Sequence, residues 1–205
     1  MTDSLDQSEF IGAWQRESLM IEKGEAFEDS NVLWLYAGNY FADIRWPKPG
    51  ESRVKPSAFA GRALWNAPSM QFNHEIDLTK ELDKDVGILS FSEGKLIEVG
   101  QVTIEGKIIR FEETWAQLCK ATQEKCLVVQ KCENAAQGYI IRIGGFVIAM
   151  EESNKLFSAA AWKYEKENWS LLFGLGDVAS LCTLRLSLPT FAHETELPPG
   201  WQIKN

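Results

Sequence analysis

Two histidines, His74 and His193, set the limit on imidazole chemistry in this sequence. A Ser-His-Asp arrangement, a two-histidine metal site or a haem ligand would each need one of them. His74 lies in the alternating run "MQFNHEIDL", where strict alternation puts Asn73, Glu75 and Asp77 opposite Phe72, His74 and Ile76. On that reading no neighbouring carboxylate forms a dyad with His74, and a core or surface role is expected. His193, in "FAHETELPP", is expected in a solvent-exposed loop. Glu112 and Glu113 are adjacent, so they point to opposite faces and cannot share a substrate. "IGGF" (143–146) and "GLGD" (174–177) lack the strand-to-long-helix context of a phosphate-cradling loop and read as turn or bulge glycines. Cys119, Cys126, Cys132 and Cys182 fit no CxxC pair or zinc spacing and read as reduced thiols. No catalytic residue, cofactor or metal is predicted.

The charges inside apolar runs are more informative. In "NYFADIRWP" (39–47), alternation places Phe41, Asp43 and Arg45 on one face and Ala42, Ile44 and Trp46 on the other. The run from Trp14 puts Arg16, Ser18 and Met20 on its face, Glu98 stands between Ile97 and Val99, and Glu113 shares a face with Phe111 and Trp115. Two readings follow. Either these charges face water, or they point inward as a hydrogen-bonded network. Burying an unpaired charge costs on the order of several kcal/mol, so inward charges must be paired. The expectation carried forward is an inward Asp43–Arg45 pair, with Arg16 and Glu98 or Glu113 as further members.

The elements that must position these side chains are short β-type runs divided by turn residues. Lys23-Gly24-Glu25, Pro47-Lys48-Pro49-Gly50, Glu93-Gly94-Lys95 and Glu105-Gly106-Lys107 separate alternating segments, as in hairpins. About fourteen strands at roughly ten-residue spacing predict an all-β barrel or sandwich. Only 77–85 and 177–182 could each form a turn or two of helix. The polar stretch 119–125 divides an N-terminal unit, 1–118, from a C-terminal unit, 119–205. Eight strands in the first can close into a barrel, while six in the second make a smaller barrel or a sheet.

The chain has 205 residues and a formal net charge of −8, from 21 basic and 29 acidic side chains. That balance argues against a nucleic-acid or anionic-membrane surface. The N-terminus "MTDSLDQSEF" lacks the pattern of a secretion signal, and no apolar run reaches membrane-span length, so a cytoplasmic protein is expected. The sequon at Asn168 then reads as chance.

One ordered series of motifs goes further. It runs Gly12-x-Trp14-x-Arg16, Val32-x-Trp34-Leu35, Ala42-Asp43-Ile44-Arg45-x-Pro47, Phe59-Ala60-Gly61 and Ile76-Asp77. It continues through Asp85-x-Gly87, Glu98-x-Gly100 and Glu113-x-Trp115. This series resembles the HRI-type lipocalin-like (calycin-like) family, which holds uncharacterised bacterial proteins and a fungal protein named for interacting with a protein kinase. The resemblance covers about 12–115 well, and the rest mainly through strand count and the closing Trp201-Gln202-Ile203. It implies two packed lipocalin-like antiparallel β-barrel units, the second smaller or incomplete, with Trp14 plugging one end of the first. It implies no established catalytic activity and carries over no catalytic residue, and the fungal kinase partnership does not transfer. The expected function is binding of a small apolar or amphipathic molecule or of a protein partner. The candidate site residues are Trp14, Arg16, Trp34, Asp43, Arg45, Glu98, Glu113 and Trp115. Trp34, Tyr36, Phe41, Phe72, Phe91 and Phe111 could either fill the barrel or line a cavity. The alternative is a cavity isomerase or hydrolase using His74 or a buried carboxylate.

Overall fold

The computed structural model describes residues 5–80, 85–104, 106–122, 126–133, 136–182, 197 and 200–204. Eight strands close an antiparallel barrel in sequence order: β1 (Gly12–Ile21), β2 (Ser30–Tyr36), β3 (Tyr40–Pro47), β4 (Ser57–Asn66), β5 (Ser69–Asp77), β6 (Asp85–Ser92), β7 (Lys95–Ile104) and β8 (Lys107–Lys120). β8 returns to pair with β1, so the barrel has no free edge. The remaining strands are β9 (Cys126–Glu133), β10 (Ala136–Ile143), β11 (Phe146–Ser153), β12 (Leu156–Glu165), β13 (Asn168–Leu175) and β14 (Trp201–Lys204). They form a sheet in the order β13-β12-β11-β10-β9-β14. The all-β expectation holds, and among the described residues the second half is an open six-stranded sheet, not a second closed barrel. A short helix, α1 (Val178–Cys182), forms within the predicted 177–182. The other predicted helical turn does not form where the structure is described: β5 runs to Asp77 and residues 78 and 79 bend, while 81–84 lie outside the described residues. The alternating run "CTLRLSL" (182–188), which also reads as a strand, lies outside them beyond Cys182, and His193 lies outside them altogether.

The sheet packs on the outer face of β2 to β5, which explains runs such as "VLWLYA" that are apolar on both faces. Leu33, Leu35, Ala42, Ile44, Ala58, Ala60 and Ile76 are buried there, joined in one core with Tyr139, Ile141, Ile143, Ile148, Met150, Ala159 and Ala161. Trp46 stacks on Phe173 across the junction, centroids 5.4 Å apart. Each large aliphatic side chain buried there contributes about 1.5–3 kcal/mol, so burial rather than polar contact holds the two layers together. The sheet's far face carries a second cluster, Val129, Ile140, Val147, Ala149 and Ala160, with Leu181 and Trp201.

One barrel end is closed by a 3-10 turn at Gln7–Phe10, started by a capping box in which Asp6 accepts from Ser8 N and Glu9 accepts from Asp6 N. Phe10 is stacked on Phe91 and meets the edge of Trp65. Trp14 sits beneath this turn, fully buried, and its Nε1 donates to the Phe10 carbonyl at 2.8 Å.

Two bulges change which side chains face inward. In the β1–β8 pairing, Arg16 opposes Trp115 but Ser18 opposes Thr114, leaving Glu17 as the extra residue. Ser18 and Met20 therefore leave the inner face that Trp14 and Arg16 share, contrary to strict alternation, and Leu19 takes their place opposite Glu113. In the β4–β5 pairing, Gly61 opposes His74 and Ala60 opposes Ile76, which leaves Glu75 as the extra residue. A Cβ on Gly61 would come within 2.0 Å of the Asn73 carbonyl oxygen, so only glycine allows this bulge.

Candidate functional site: a charged barrel mouth

The inner face of β3 carries Phe41, Asp43 and Arg45, each opposite an inward residue of β2: Tyr36, Trp34 and Val32 respectively. Arg45 grips Asp43 with two donors, Nε to Oδ1 at 2.8 Å and Nη2 to Oδ2 at 3.2 Å. Its Nη1 lies 3.6 Å from Glu113 Oε1. From β1, Arg16 donates to the same Glu113 oxygen at 2.5 Å and, through Nε, to Glu28 at 2.8 Å. Arg16, Asp43 and Glu113 are almost fully buried, whereas the Arg45 side chain stays 28% exposed. Burial works against the charge on Arg45, but Asp43 and Glu113 more than offset it, so the guanidinium is held in its charged form. Arg16 follows the same pattern: burial opposes its charge, and Glu113 and Glu28 outweigh burial.

Glu98 opposes Glu113 in the β7–β8 pairing and Leu89 in the β6–β7 pairing, so all three face inward. Its carboxyl occupies space opened by Gly87, where a Cβ would lie 2.3 Å from Oε1. Burial, and then the Glu113 and Asp85 carboxylates, push its pKa well above the ordinary glutamate range. Glu98 therefore keeps its proton to higher pH than an ordinary glutamate, and in that form it can donate a hydrogen bond.

The bulge at Glu75 brings His74 and Asp77 to the same side. His74 Nδ1 lies 2.7 Å from Asp77 and Nε2 lies 3.1 Å from Asp85. This corrects the expectation that no strand neighbour pairs with His74: the extra residue turns the i, i+3 pair to one face. Burial opposes the imidazolium, but the bonds to Asp77 and Asp85 outweigh it and raise the pKa to about 9. Asp77 is lowered in turn: burial works against its charge, but His74 and the Thr79 side chain and backbone more than offset it. The Phe59 ring joins the two charged groups, with His74 stacked 4.2 Å from its centroid and the Arg45 guanidinium 5.2 Å above it.

At the centre is a cavity of about 20 Å³, lined by Trp34, Phe41, Asp43, Arg45, Phe59, Phe72, Asp85, Glu98 and Trp115. That is room for one water-sized group and far below the roughly 300–1,000 Å³ of drug-sized pockets. The aromatic side chains thus mostly fill the barrel. Arg45 and Asp85, 28% and 29% exposed, mark the way to solvent. The indole Nε1 atoms of Trp34 and Trp115 are buried with no hydrogen-bond partner among the described residues.

Of the eight predicted residues, Arg16, Asp43, Arg45 and Glu113 form one ion-pair network, and Trp34, Asp43, Arg45, Glu98 and Trp115 line the cavity. Trp14 is apart, at the closed end. Glu28, Asp77 and Asp85 belong to the charged mouth and were not among the predicted residues, and His74, named only for the alternative enzymatic reading, joins them there. Glu28 lies between strands, where periodicity gives no signal. A mid-strand glycine such as Gly61 is the signal that could have exposed the bulge behind His74 and Asp77. Among the described residues no group of three or more His, Cys, Asp or Glu could hold a metal ion, and no helix is long and apolar enough to cross a membrane.

A search of curated proteins returns no match. The fold is similar to the crystal structure of an uncharacterised protein of Saccharomyces cerevisiae, with a TM-score of 0.73 and 13% identity over 94% of this chain and 97% of the yeast chain. Residues 13–198 match the family described as Protein HRI1. With a family match running from the first barrel strand to just before β14, the chain belongs to the HRI1 family.

Proposed function

We propose that the protein is a non-catalytic binding protein that takes the polar end of a small amphipathic or polar molecule at the charged barrel mouth. The observation that carries this reading is the cavity itself: a pocket reached past Arg45 and Asp85, walled by aromatic rings and polar groups within an otherwise filled barrel. Its size and polar lining favour a small polar head over a wholly apolar ligand. An enzymatic reading would use His74 or Glu98. His74 has both ring nitrogens engaged by carboxylates and is charged at neutral pH, so it serves as a clamp and not as a general base. A cytoplasmic location goes with the proposal, supported by the free thiols of Cys119 and Cys132. Native mass spectrometry of freshly purified protein tests the binding reading. A co-purified small molecule is expected, lost on Asp43→Ala/Arg45→Met. A bare polypeptide mass, with no thermal stabilisation by a panel of small polar and amphipathic compounds, would overturn it.

A further inference from the structure

We infer that the group recognised in the cavity is an uncharged oxygen, a hydroxyl or carbonyl, which accepts hydrogen bonds from the indole N–H groups of Trp34 and Trp115. This inference rests on the binding reading above and names its ligand chemistry.

Trp34 and Trp115 are 2% and 1% exposed, their rings lie 5.4 Å apart, and both line the cavity. An indole N–H can only donate, and a buried donor without an acceptor is costly. Trp14, on the same inner face, shows the usual solution: its N–H is answered by the Phe10 carbonyl. The neighbouring acceptors are already engaged, because Asp43 holds Arg45 and Asp85 holds His74. No acceptor among the described residues answers the two indoles, which leaves the place to an acceptor atom of a bound molecule.

Charge narrows the class. Arg16, Arg45 and His74 bring three positive groups to the mouth, against the acidic side chains of Glu28, Asp43, Asp77, Asp85 and Glu113. That surplus repels an anionic head. A cation would find ring faces and carboxylates, but an ammonium has no lone pair and leaves both indole N–H groups unanswered. A hydroxyl or carbonyl oxygen has two lone pairs, matching the two indole donors. Glu98 in its neutral form is a further donor on the same wall. The cavity of about 20 Å³ admits such a head and little more.

The test uses the full ¹⁵N-labelled chain and follows its indole N–H cross-peaks during titration with 1-propanol, propylammonium and propionate, which share a tail and differ in head. Trp34→Phe and Trp115→Phe assign the two peaks, and nuclear Overhauser contacts to neighbouring rings assign them if either variant fails to fold. Propanol is expected to move the Trp34 and Trp115 protons downfield and to saturate, while the Trp14 indole stays in place. Each Phe variant should weaken propanol binding about five- to tenfold, the value of one hydrogen bond to an uncharged group. Stronger response to propylammonium or propionate overturns the uncharged-oxygen class while leaving the binding reading intact. No response to any probe, with both indole protons at hydrogen-bonded positions, means that the cavity holds water only and also overturns it. The binding reading is then judged separately by the co-purified mass.

Discussion

At one end of the barrel Phe10, Trp14, Trp65 and Phe91 meet ring against ring under a capped turn. At the other, Arg16, Glu28, Asp43, Arg45, Glu113, His74, Asp77 and Asp85 meet charge against charge. The same strands supply both ends: β1 carries Trp14 and Arg16 two residues apart, and β3 carries Phe41 and Asp43. Burying rings is favourable without further conditions. Burying ions is favourable only when every partner is present, and apolar residues of similar shape often stabilise as well or better. The closed end is therefore accounted for by stability alone. The charged end is not, which is why a binding role is proposed there.

If that contrast is right, the two ends should break differently. Trp14→Ala removes a fully buried ring and its hydrogen bond, and should cost about 3–5 kcal/mol in denaturant unfolding. A midpoint unchanged within error would mean that the closed end is not a core. Arg45→Met should cost less, about 1–2 kcal/mol, because its side chain is 28% exposed and water can answer Asp43 in part. Replacing Asp43 and Arg45 together with apolar residues should then cost less than the two single changes combined. A loss above about 4 kcal/mol for Arg45→Met alone would show that the mouth is sealed from solvent.

The pH dependence follows from His74 and Glu98. The folded pKa of His74 is raised from 6.5 to about 9, so its contribution is fully present below about 6.5 and lost as pH rises through 9. Unfolding monitored from pH 6.5 to 9.5 should show falling stability in the wild type and a flatter profile in His74→Gln. Parallel profiles would mean that Asp77 and Asp85 do not hold the imidazolium. Glu98 gives an effect of the opposite sign for the variant. Its folded pKa is raised, so the native state loses stability as pH rises above the unfolded glutamate value, and Glu98→Gln removes that penalty. The Gln variant should match the wild type at low pH and exceed it increasingly toward neutral pH. A less stable variant at pH 7 would mean that Glu98 is charged and paired.

Period-2 alternation made much of this legible. With the turn residues and the polar stretch 119–125 it gave the all-β class and the eight-plus-six arrangement, and by itself it gave the inward face of β3, since Asp43, Arg45 and Phe41 lie in an unbulged stretch. It failed where one residue was inserted, at Glu17 and Glu75, because a bulge turns every later side chain to the other face. Glu28 and Asp85 were illegible for a different reason: one lies in a connection and the other begins a strand, so neither had a period to place it. Two hairpins also carry no glycine signal. Asn154-Lys155 and Lys166-Glu167 take up left-handed φ values (50° to 67°) that a sequence reading assigns to Gly.

The central claim is that inward charges at the mouth act as a paired network, and a double-mutant cycle on Arg16 and Glu113 tests it most directly. Both side chains are about 95% buried and joined at 2.5 Å. Arg16→Met alone should cost about 3–5 kcal/mol, since it leaves Glu28 without its guanidinium and Glu113 with only the longer contact to Arg45. The cycle with Glu113→Gln should give a coupling energy of roughly 1–3 kcal/mol at neutral pH. Single-mutant losses that add to within about 0.5 kcal/mol would contradict the network and leave the mouth as a set of independent, solvated charges.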